Sequence, residues 1–259
     1  RGENCVDSGG RTLRYLILSD MHANWDAFAT VLRRARRKRF DAVLVLGDLV
    51  GYGAAPNQVV EAVRDLGPRL YTVRGNHDKV VTGIDSGSNF NQTALTAAQW
   101  TATRLTPANL RYVRDLPQGP IQVEPGLAMC HGSPLDEDTY VFSDVDAWEI
   151  FASFPMPVTF FGHTHIPSVF SLEGRALGVR ALRGGSGTLV LHPQGRYLVN
   201  PGSIGQPRDR DPRASYMTYD SERRIVRWHR IEYPIAEAQR RIRKAGLPGS
   251  LADRLAVGA

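Results

Sequence analysis

The sequence is poor in lysine and cysteine and has no long apolar run. Only three of its 32 basic residues are lysines, so arginine supplies nearly all of the positive charge behind a formal net charge of +6. The two cysteines, Cys5 and Cys130, are too few for a disulfide framework or a thiolate metal cage. No stretch reaches the roughly 18 apolar residues of a membrane span, and no apolar signal segment opens the chain. These absences predict a cytoplasmic protein with no membrane partner.

The composition is that of a globular protein. Of 259 residues, 42% are hydrophobic and 22% are charged, which excludes disorder and a fibrous chain. We expect one domain over residues 11–259, although this length also fits two small domains. Residues 1–10 are polar and lack an apolar period, and we expect them to be a tail or a cloning remnant. The basic balance favours anionic partners without selecting nucleic acid.

Apolar periodicity predicts an α/β core in the first half of the chain. Residues 15–18, 42–46 and 70–73 are typical of buried strands, and apolar residues at helical spacing after Asn24 and Pro56 predict helices between them. This alternation indicates a parallel sheet covered by helices. Further helices are expected at 92–103, 107–116, 145–151 and 234–245. Successive short strands from residue 158 onward predict a second, partly antiparallel sheet.

Five polar motifs follow predicted strands. They are Asp20-x-His22, Gly47-Asp48, Gly75-Asn76-His77-Asp78, His131-Gly132 and Gly162-His163-Thr164-His165. Open α/β sheets bind ligands beyond the carboxyl ends of their strands, and residues two apart in extended chain point the same way. The shorter motifs also occur in ordinary turns, whereas Gly-Asn-His-Asp and Gly-His-x-His are rare by chance. Five of the seven histidines lie in these motifs, a clustering that scatter does not explain.

The side chains in these motifs are of types that bind metal ions. Imidazole nitrogens combined with carboxylate and amide oxygens are ligands for manganese, iron, zinc or nickel, whereas magnesium and calcium sites consist mostly of oxygen. His77, beside the amide of Asn76, can reach a substrate oxygen without being used as a ligand. The motifs therefore predict a site for a divalent transition metal.

The order of the five motifs, over residues 13–203, resembles the calcineurin-like metallophosphoesterase superfamily. The segment Asn200-Pro201-Gly202-Ser203 is similar to one in its small prokaryotic phosphodiesterase branch. The resemblance implies an α/β four-layer sandwich of two mixed β-sheets flanked by helices. It also implies two divalent transition-metal ions bridged by Asp48. One would be held by Asp20, His22, Asp48 and His165, and the other by Asp48, Asn76, His131 and His163.

The activity that this resemblance implies is hydrolysis of phosphoester bonds. The favoured form is a phosphodiesterase that uses a metal-bridging hydroxide on a small soluble phosphoester, with Asp48 and His77 as catalytic residues. His77 would donate a proton or stabilise the transition state. Protein phosphatases of the superfamily read Gly-Asp-x-x-Asp-Arg-Gly where residues 47–53 read Gly-Asp-Leu-Val-Gly-Tyr-Gly, which argues against that activity. The alternatives are a phosphomonoesterase, a dinucleoside polyphosphate hydrolase, or a non-catalytic interaction module on the same fold.

Substrate contacts are predicted outside the metal ligands. We assign them to Asn24, Asn200, Arg208 and Arg213, the two arginines lying in a loop that either clamps a phosphate or forms surface ion pairs. The basic run at 33–39 either complements the dipole of a helix end or contacts nucleic acid. The second reading is not favoured, because no aromatic residues interleave with the run. The natural substrate, the metal and the oligomeric state stay open.

Overall fold

A computed structural model describes residues 13–259, which form two six-stranded sheets with helices on their outer faces. The predicted tail at 1–10 and Cys5 lie outside the described residues. The strands are β1 (Arg14–Leu18), β2 (Ala42–Val45), β3 (Leu70–Thr72), β4 (Ile121–Glu124), β5 (Leu127–Met129), β6 (Val158–Phe160), β7 (Ser168–Glu173), β8 (Ala176–Ala181), β9 (Ser186–Val190), β10 (Arg196–Asn200), β11 (Ala214–Asp220) and β12 (Ile225–Ile231). The helices are α1 (Trp25–Ala35), α2 (Pro56–Arg64), α3 (Asn76–Thr82), α4 (Gln92–Arg104), α5 (Pro107–Arg114), α6 (Asp144–Ser153), α7 (Ile235–Lys244) and α8 (Gly249–Asp253), followed by a 3₁₀ turn at Arg254–Ala256.

Both sheets are mixed, as predicted. The first has the order β3-β2-β1-β11-β12-β9, and the second has the order β4-β5-β6-β10-β7-β8. Strands β1, β2 and β3 run parallel, as do β5, β6 and β10, while the remaining neighbours are antiparallel. The second half of the chain does not form a separate sheet, because β11, β12 and β9 complete the first one. Pairing with β11 gives the buried strand β1 a partner on each side, which an edge strand would lack.

Alternation of side chains along β1 shows how the layers form. Leu16 and Leu18 face the helices on the outer side of the first sheet, and Tyr15 and Ile17 face the core between the two sheets. On the outer side of the second sheet, α6 packs through residues such as Phe151. The predicted four-layer sandwich is therefore confirmed.

Helix α1 begins a few residues after β1, and its sequence explains both of its ends. The side chain of Asn24 accepts a hydrogen bond from the Ala27 amide at 3.2 Å and so caps the first turn. Phe28 faces the core, while Arg33 and Arg34 lie in the last turn, where positive charge complements the helix dipole. In residues 13–259, no helix is long and apolar enough to cross a membrane, and the cytoplasmic location stays a prediction.

Candidate metal centre

The five motifs meet at one edge of the sandwich, where parallel strands of both sheets end. Asp20 and His22 follow β1, Asp48 follows β2, Asn76 opens α3 after β3, His131 follows β5, and His163 and His165 follow β6. The potential ligand atoms form two groups, within each of which all atoms lie within 4.8 Å of one another: Asp20, His22, Asp48 and His165, and Asp48, His131 and His163. Asn76 Oδ1 lies 3.2 Å from His131 Nε2 and so adjoins the second group. Asp48 belongs to both groups, which is the arrangement that a pair of ions with a bridging carboxylate requires.

Most of these residues have a left-handed backbone conformation. The φ angles are 52° at Asp20, 46° at His22, 51° at Asp48, 66° at His163 and 61° at His165. Such values are uncommon for residues other than glycine, cost of order 1–3 kcal/mol each, and concentrate at functional sites. Hydrogen bonds between the loops hold this backbone: the amides of Asp20 and His22 donate to the carbonyls of Gly47 and Asp48 at 3.2 and 2.9 Å.

In four imidazoles, one ring nitrogen lies within hydrogen-bond distance of a backbone carbonyl oxygen. The pairs are His22 Nδ1 with Val50 O at 3.2 Å, His131 Nδ1 with Leu46 O at 2.7 Å, His163 Nε2 with Asp138 O at 3.0 Å, and His165 Nδ1 with Gln206 O at 2.6 Å. Because a carbonyl only accepts, the nitrogen facing it must carry the proton. In a neutral ring the other nitrogen then presents a lone pair. This is how proteins fix the tautomer of metal-ligating histidines.

The lone pairs that face one another show that this donor set fits metal ions. His22 Nε2 and His165 Nε2 lie 3.0 Å apart, and with both protons on Nδ1 there is none to share between them. Asp20 Oδ1 lies 3.2 Å from His165 Nε2, is buried, and has no hydrogen-bond partner among the described residues. Buried polar atoms without partners cost free energy, and a cation bound between them would remove that cost.

The electrostatics favour the metal-binding form of most of these side chains, and His131 is the exception. Burial lowers the pKa of His22 well below its ordinary value, and it lowers the pKa of His163 to about 3. Burial alone would raise the pKa of Asp48, but neighbouring imidazoles, His131 foremost, hold it well below the ordinary value. At His131 burial is outweighed by Asp48, which raises its pKa to about 10. A proton is therefore held between these two residues, and metal binding must displace it.

Asp78 ties the loop after β2 to the start of α3. Its Oδ1 accepts from the amides of Leu49 at 3.0 Å and Val50 at 3.3 Å, and its Oδ2 accepts from the Gly75 amide at 2.9 Å. A Cβ at Gly75 would lie only 2.1 Å from Asp48 Oδ1, so glycine is required for this close approach. Asp78 was not among the predicted site residues. The sequence feature that could have identified Asp78 is its position as the acidic residue directly after Asn76-His77.

His77 lies beside the ligand groups without belonging to them. Its ring is packed among those of His22, Tyr52 and Phe90, at centroid distances of 4.9, 4.3 and 4.5 Å. Its amide donates to Asp48 Oδ1 at 2.9 Å, while its Nδ1 has no hydrogen-bond partner within the described part of the chain. Burial lowers its pKa to about 4 despite the charge of Asp48, so the ring is neutral at neutral pH. A neutral imidazole can donate a hydrogen bond to a bound ligand.

A cavity of about 90 Å³ opens over the two groups. Its lining contains Asp48, Asn76, His77, His163 and His165 from the motifs, together with Tyr52, Asn89, Phe90, Asn91, Ala94, Tyr140 and Arg208. An adjoining cavity of about 150 Å³ shares Asn76, Asn89, Phe90, Tyr140 and His163 with the first. Apart from Asn76 and His163, these shared walls come from loops that no motif marks.

Two arginines flank the ring of Tyr52 beside the first cavity. The guanidinium carbon of Arg208 lies 6.0 Å from the ring centroid, and that of Arg254 lies 5.9 Å from it. The hydrogen bonds of Arg208 go to Tyr52 Oη at 3.3 Å and Gln206 Oε1 at 3.2 Å, neither of which is charged at neutral pH. Burial, with a smaller contribution from Arg208, lowers the pKa of Arg254. This corner of the site has surplus positive charge that an anion would neutralise.

Of the predicted substrate contacts, only Arg208 lines the cavity. The amide of Asn24 donates to Gly205 O at 2.9 Å while its oxygen caps α1. The amide of Asn200 is fully buried and donates to Gly162 O at 2.6 Å, so it supports the loop that carries His163 from behind. Arg213 forms two hydrogen bonds with Asp211, at 2.9 and 2.6 Å, as expected of a surface ion pair.

A larger cavity of the described residues lies elsewhere. It measures about 520 Å³, lies between α1 and α2, and is lined by residues such as Trp25, Phe40 and Leu66. Histidine and cysteine are both missing from its lining, so it offers no nitrogen or sulfur ligand of the kind that the motifs bring together. Size alone therefore does not identify the chemical site, and the smaller cavity over the histidines and carboxylates is the candidate.

Comparison with known proteins places the site in a family context. The family model of the calcineurin-like phosphoesterase superfamily domain matches residues 13–224. A protein of Methanocaldococcus jannaschii, MJ0912, is 36% identical over 250 residues, which are 93% of this chain and 97% of that protein. The crystal structure of a metallophosphoesterase from Sphaerobacter thermophilus aligns with a TM-score of 0.84 and 39% identity over 96% of this chain and 100% of that one. The Pyrococcus horikoshii protein PH1004 aligns with a TM-score of 0.78 at 19% identity, covering 95% and 98% of the two chains, which shows the shared fold.

Proposed function

Because the chain belongs to the calcineurin-like phosphoesterase superfamily and is a phosphoric ester hydrolase, we propose that it is a dimetal-dependent phosphodiesterase. The observation that carries the proposal is the pair of ligand groups that share Asp48 at the floor of the cavity. Two ions held by Asp20, His22, Asp48 and His165, and by Asp48, Asn76, His131 and His163, would make water nucleophilic at neutral pH and neutralise charge on the phosphoryl group. Manganese, iron, zinc and nickel all suit these ligands.

The remaining polar residues of the cavity position the phosphoester. Arg208 supplies a guanidinium whose planar donors match a phosphate, and its present partners are neutral. His77, neutral and adjacent to the same cavity, donates a hydrogen bond to the departing oxygen as negative charge develops there. Burial among three aromatic or imidazole rings keeps its orientation fixed before substrate binds.

The second cavity favours a diester over a monoester. A phosphodiester carries two substituents, and a phosphate bound over the ligand groups leaves the adjoining space of about 150 Å³ for one of them. A monoester has no second substituent to fill it. A phosphomonoesterase and a dinucleoside polyphosphate hydrolase are the runner-up activities on the same centre, and the substrates in the test below distinguish the first of them.

The test is a metal-reconstitution screen. Protein stripped with a chelator and reloaded with each metal should bind two ions per chain and hydrolyse bis(p-nitrophenyl) phosphate faster than p-nitrophenyl phosphate. Asp48→Asn should reduce both metal content and turnover, because it removes charge shared by both groups. His77→Ala should keep the metal and lower kcat by about 10²- to 10⁴-fold, the usual contribution of a positioned proton donor.

His192→Ala is the matched control, because His192 is an exposed histidine that is absent from both ligand groups. It should change neither metal content nor turnover. Faster hydrolysis of the monoester would contradict the diester assignment. A protein that binds no metal and turns over neither substrate would instead be an interaction module on this fold.

A further inference from the structure

A basic cavity lies at the end of the first sheet that is remote from the metal centre. It measures about 340 Å³, which is within the range of small-molecule sites. It shares no lining residue with the two cavities beside the histidines. Arg14, which lines it, begins β1, whereas Asp20 follows the other end of that strand, and the extended chain between them spans about 20 Å. A small ligand in the basic cavity would therefore not contact the candidate metal ligands.

Five cations from three separate segments line the basic cavity. They are Arg14 on β1, Lys38 and Arg39 after α1, and Arg223 and Arg227 in the hairpin of β11 and β12. Within residues 13–259, none of the five forms an ion pair. The described lining contains one carboxylate, Asp220, so five positive charges less one negative leave a surplus of +4. A terminal phosphate carries about −1.5 to −2 charges at neutral pH, so the surplus matches two or three phosphate groups.

The dipole of α1 explains only part of the basic run at 33–39. The helix ends at Ala35, and the benefit of a cation falls off within the last turn, which contains Arg33 and Arg34. Lys38 and Arg39 lie beyond that turn and line the basic cavity. The second part of the run therefore belongs to the cavity, where it meets cations from other segments.

Thr218 adds an uncharged polar group to the same cavity. It is 8% exposed, and its hydroxyl has no hydrogen-bond partner in the part of the chain that the structure describes, although most buried hydroxyls are bonded. Thr218 lines the cavity and is the direct cross-strand partner of Arg227, so both side chains lie on one face of the sheet. An oxygen of a bound anion could accept hydrogen bonds from both residues.

The charge of the cavity is also felt at His229. Arg227 and His229 are two residues apart on β12, so their side chains lie on the same face. Burial, followed by the charges of Lys38, Arg34 and Arg227, lowers the pKa of His229 to about 4. Lys38 and Arg227 come from different segments but act on the same ring. Their positive fields therefore overlap on this face, and a cleft lined by one sign of charge concentrates ions of the other.

We propose that the basic cavity is an anion site, separate from the metal centre, that binds a compact ligand carrying two or three phosphate groups. The five cations neutralise the phosphates, and Thr218 donates a hydrogen bond to one of their oxygens. No histidine or cysteine is present in the described lining, so the ligand is bound there without metal-assisted hydrolysis.

A small ligand is favoured over a nucleic acid, which carries the same phosphate oxygens along a polymer. Phe40 is the one partly exposed aromatic residue of the described lining, since Tyr219 is buried in the core between the sheets. The series of exposed rings on which single-stranded bases stack is therefore missing from this lining.

The test is calorimetric titration of the full chain with inorganic tripolyphosphate. Because this probe can also bind to the ions of the metal centre or withdraw them, the titration is performed on chelated and on metal-loaded protein. The chelated protein should bind one tripolyphosphate per chain. Inorganic phosphate should bind more weakly, because a single phosphate leaves most of the surplus charge unbalanced.

Variants assign the binding to the basic cavity. Arg227→Gln should raise the Kd of tripolyphosphate by about tenfold or more, as expected for a hydrogen bond to a charged group. Thr218→Val keeps the net charge and should raise the Kd by about 2- to 12-fold, whereas Thr218→Ser should retain the wild-type value. Arg175→Gln is the matched control, because Arg175 is an exposed arginine between β7 and β8, outside the cavity, and it should leave the Kd unchanged.

Four results would overturn the anion site. They are no binding to chelated wild-type protein, equal affinity for phosphate and tripolyphosphate, an equal effect of Arg227→Gln and Arg175→Gln, and an unchanged Kd in Thr218→Val. The last two would indicate general attraction to a basic surface. A single-stranded RNA of roughly ten nucleotides provides a further arm. If the RNA bound more tightly than tripolyphosphate and lost affinity in Arg227→Gln, the ligand would be a nucleic acid and the proposal would be wrong.

Discussion

Adding a single methyl group at Gly51 should disable the site without touching a metal ligand. Gly51 has a φ of +87°, and a Cβ there would lie 2.4 Å from His77 Nδ1 and 2.9 Å from its Cγ. Ordinary contacts of a Cβ begin at 3.4 Å, so the ring would have to move by 3.4 − 2.4, or 1.0 Å. The rings of His22, Tyr52 and Phe90 surround it at 4.9, 4.3 and 4.5 Å and leave no easy path.

The expected loss follows from that displacement. Misplacing a catalytic group by about 1 Å costs on the order of 10²-fold in rate. Gly51→Ala should therefore lower kcat on a chromogenic diester by about 10²-fold with two metal ions still bound. The strained backbone should also cost about 1–2 kcal/mol of stability.

Gly67→Ala separates the two effects. Gly67 has a φ of +107°, and a Cβ there would meet nothing within 4 Å. The Gly67→Ala variant should lose about as much free energy of unfolding as Gly51→Ala, and its kcat should be unchanged. In a His77→Ala background, Gly51→Ala should cause no further loss of rate, as a double-mutant cycle would show. Equal kcat values for Gly51→Ala and Gly67→Ala, or additive losses in the double variant, would refute the role given to His77.

Two further predictions concern stability. Removing metal with a chelator should lower the thermal midpoint by about 5 to 11 °C per ion, for ions present at 100 times their dissociation constant, and an unchanged midpoint in calorimetry would contradict the dimetal centre. Burial, reinforced by Lys38, Arg34 and Arg227, lowers the pKa of His229 to about 4. Its unfolded value is about 6.5, so the stability that the neutral ring contributes above that pH is lost as pH falls toward 4. In urea titrations of chelated protein, His229→Gln should therefore lose less stability over this window than the wild type, and equal losses would count against it.

The elements that could be predicted from sequence are those whose pattern is local. Residues 15–18 and 42–46 are nearly continuous apolar runs because β1 and β2 are covered on both faces, and the predicted positions match to within a residue. Among the strands and α-helices, three were missed: β8, α3 and α8. Strand β8 is mostly exposed and contains Gly178, so it shows neither alternation nor an apolar run, and α8 has only five residues. Topology was harder still, because the return of β11 to pair with β1 depends on contacts about 200 residues apart.

The residues of the candidate site also divide into those that a local sequence pattern marks and those that it does not. The motifs that carry the candidate ligands could be found because each follows a short strand of the core, and in four of the five a glycine is adjacent to a polar residue. Tyr140 and Arg254 could not be found, because Tyr140 lines the cavity from a loop and Arg254 lies beside Tyr52 in the 3₁₀ turn that follows α8. Nothing local distinguishes them from surface residues. Asp78 is an intermediate case. It belongs to a motif that could be found from the sequence, but it accepts hydrogen bonds from backbone amides and is not one of the candidate metal ligands.

The centre gathers groups that oppose folding when no cation is bound, and the surrounding backbone must therefore hold them. Asp20 and Asp48 are buried carboxylates, the lone pairs of His22 and His165 face each other at 3.0 Å, and several ligands have left-handed backbone. Most of the compensating bonds involve main-chain groups: carbonyls fix the imidazoles, and Asp78 binds three amides of the neighbouring loops. A hydrogen bond to a main-chain group does not depend on which side chain that residue carries. The same scaffold can thus keep its metal-binding geometry while the loops that carry rings such as Tyr140 change, and we expect specificity to reside in those loops.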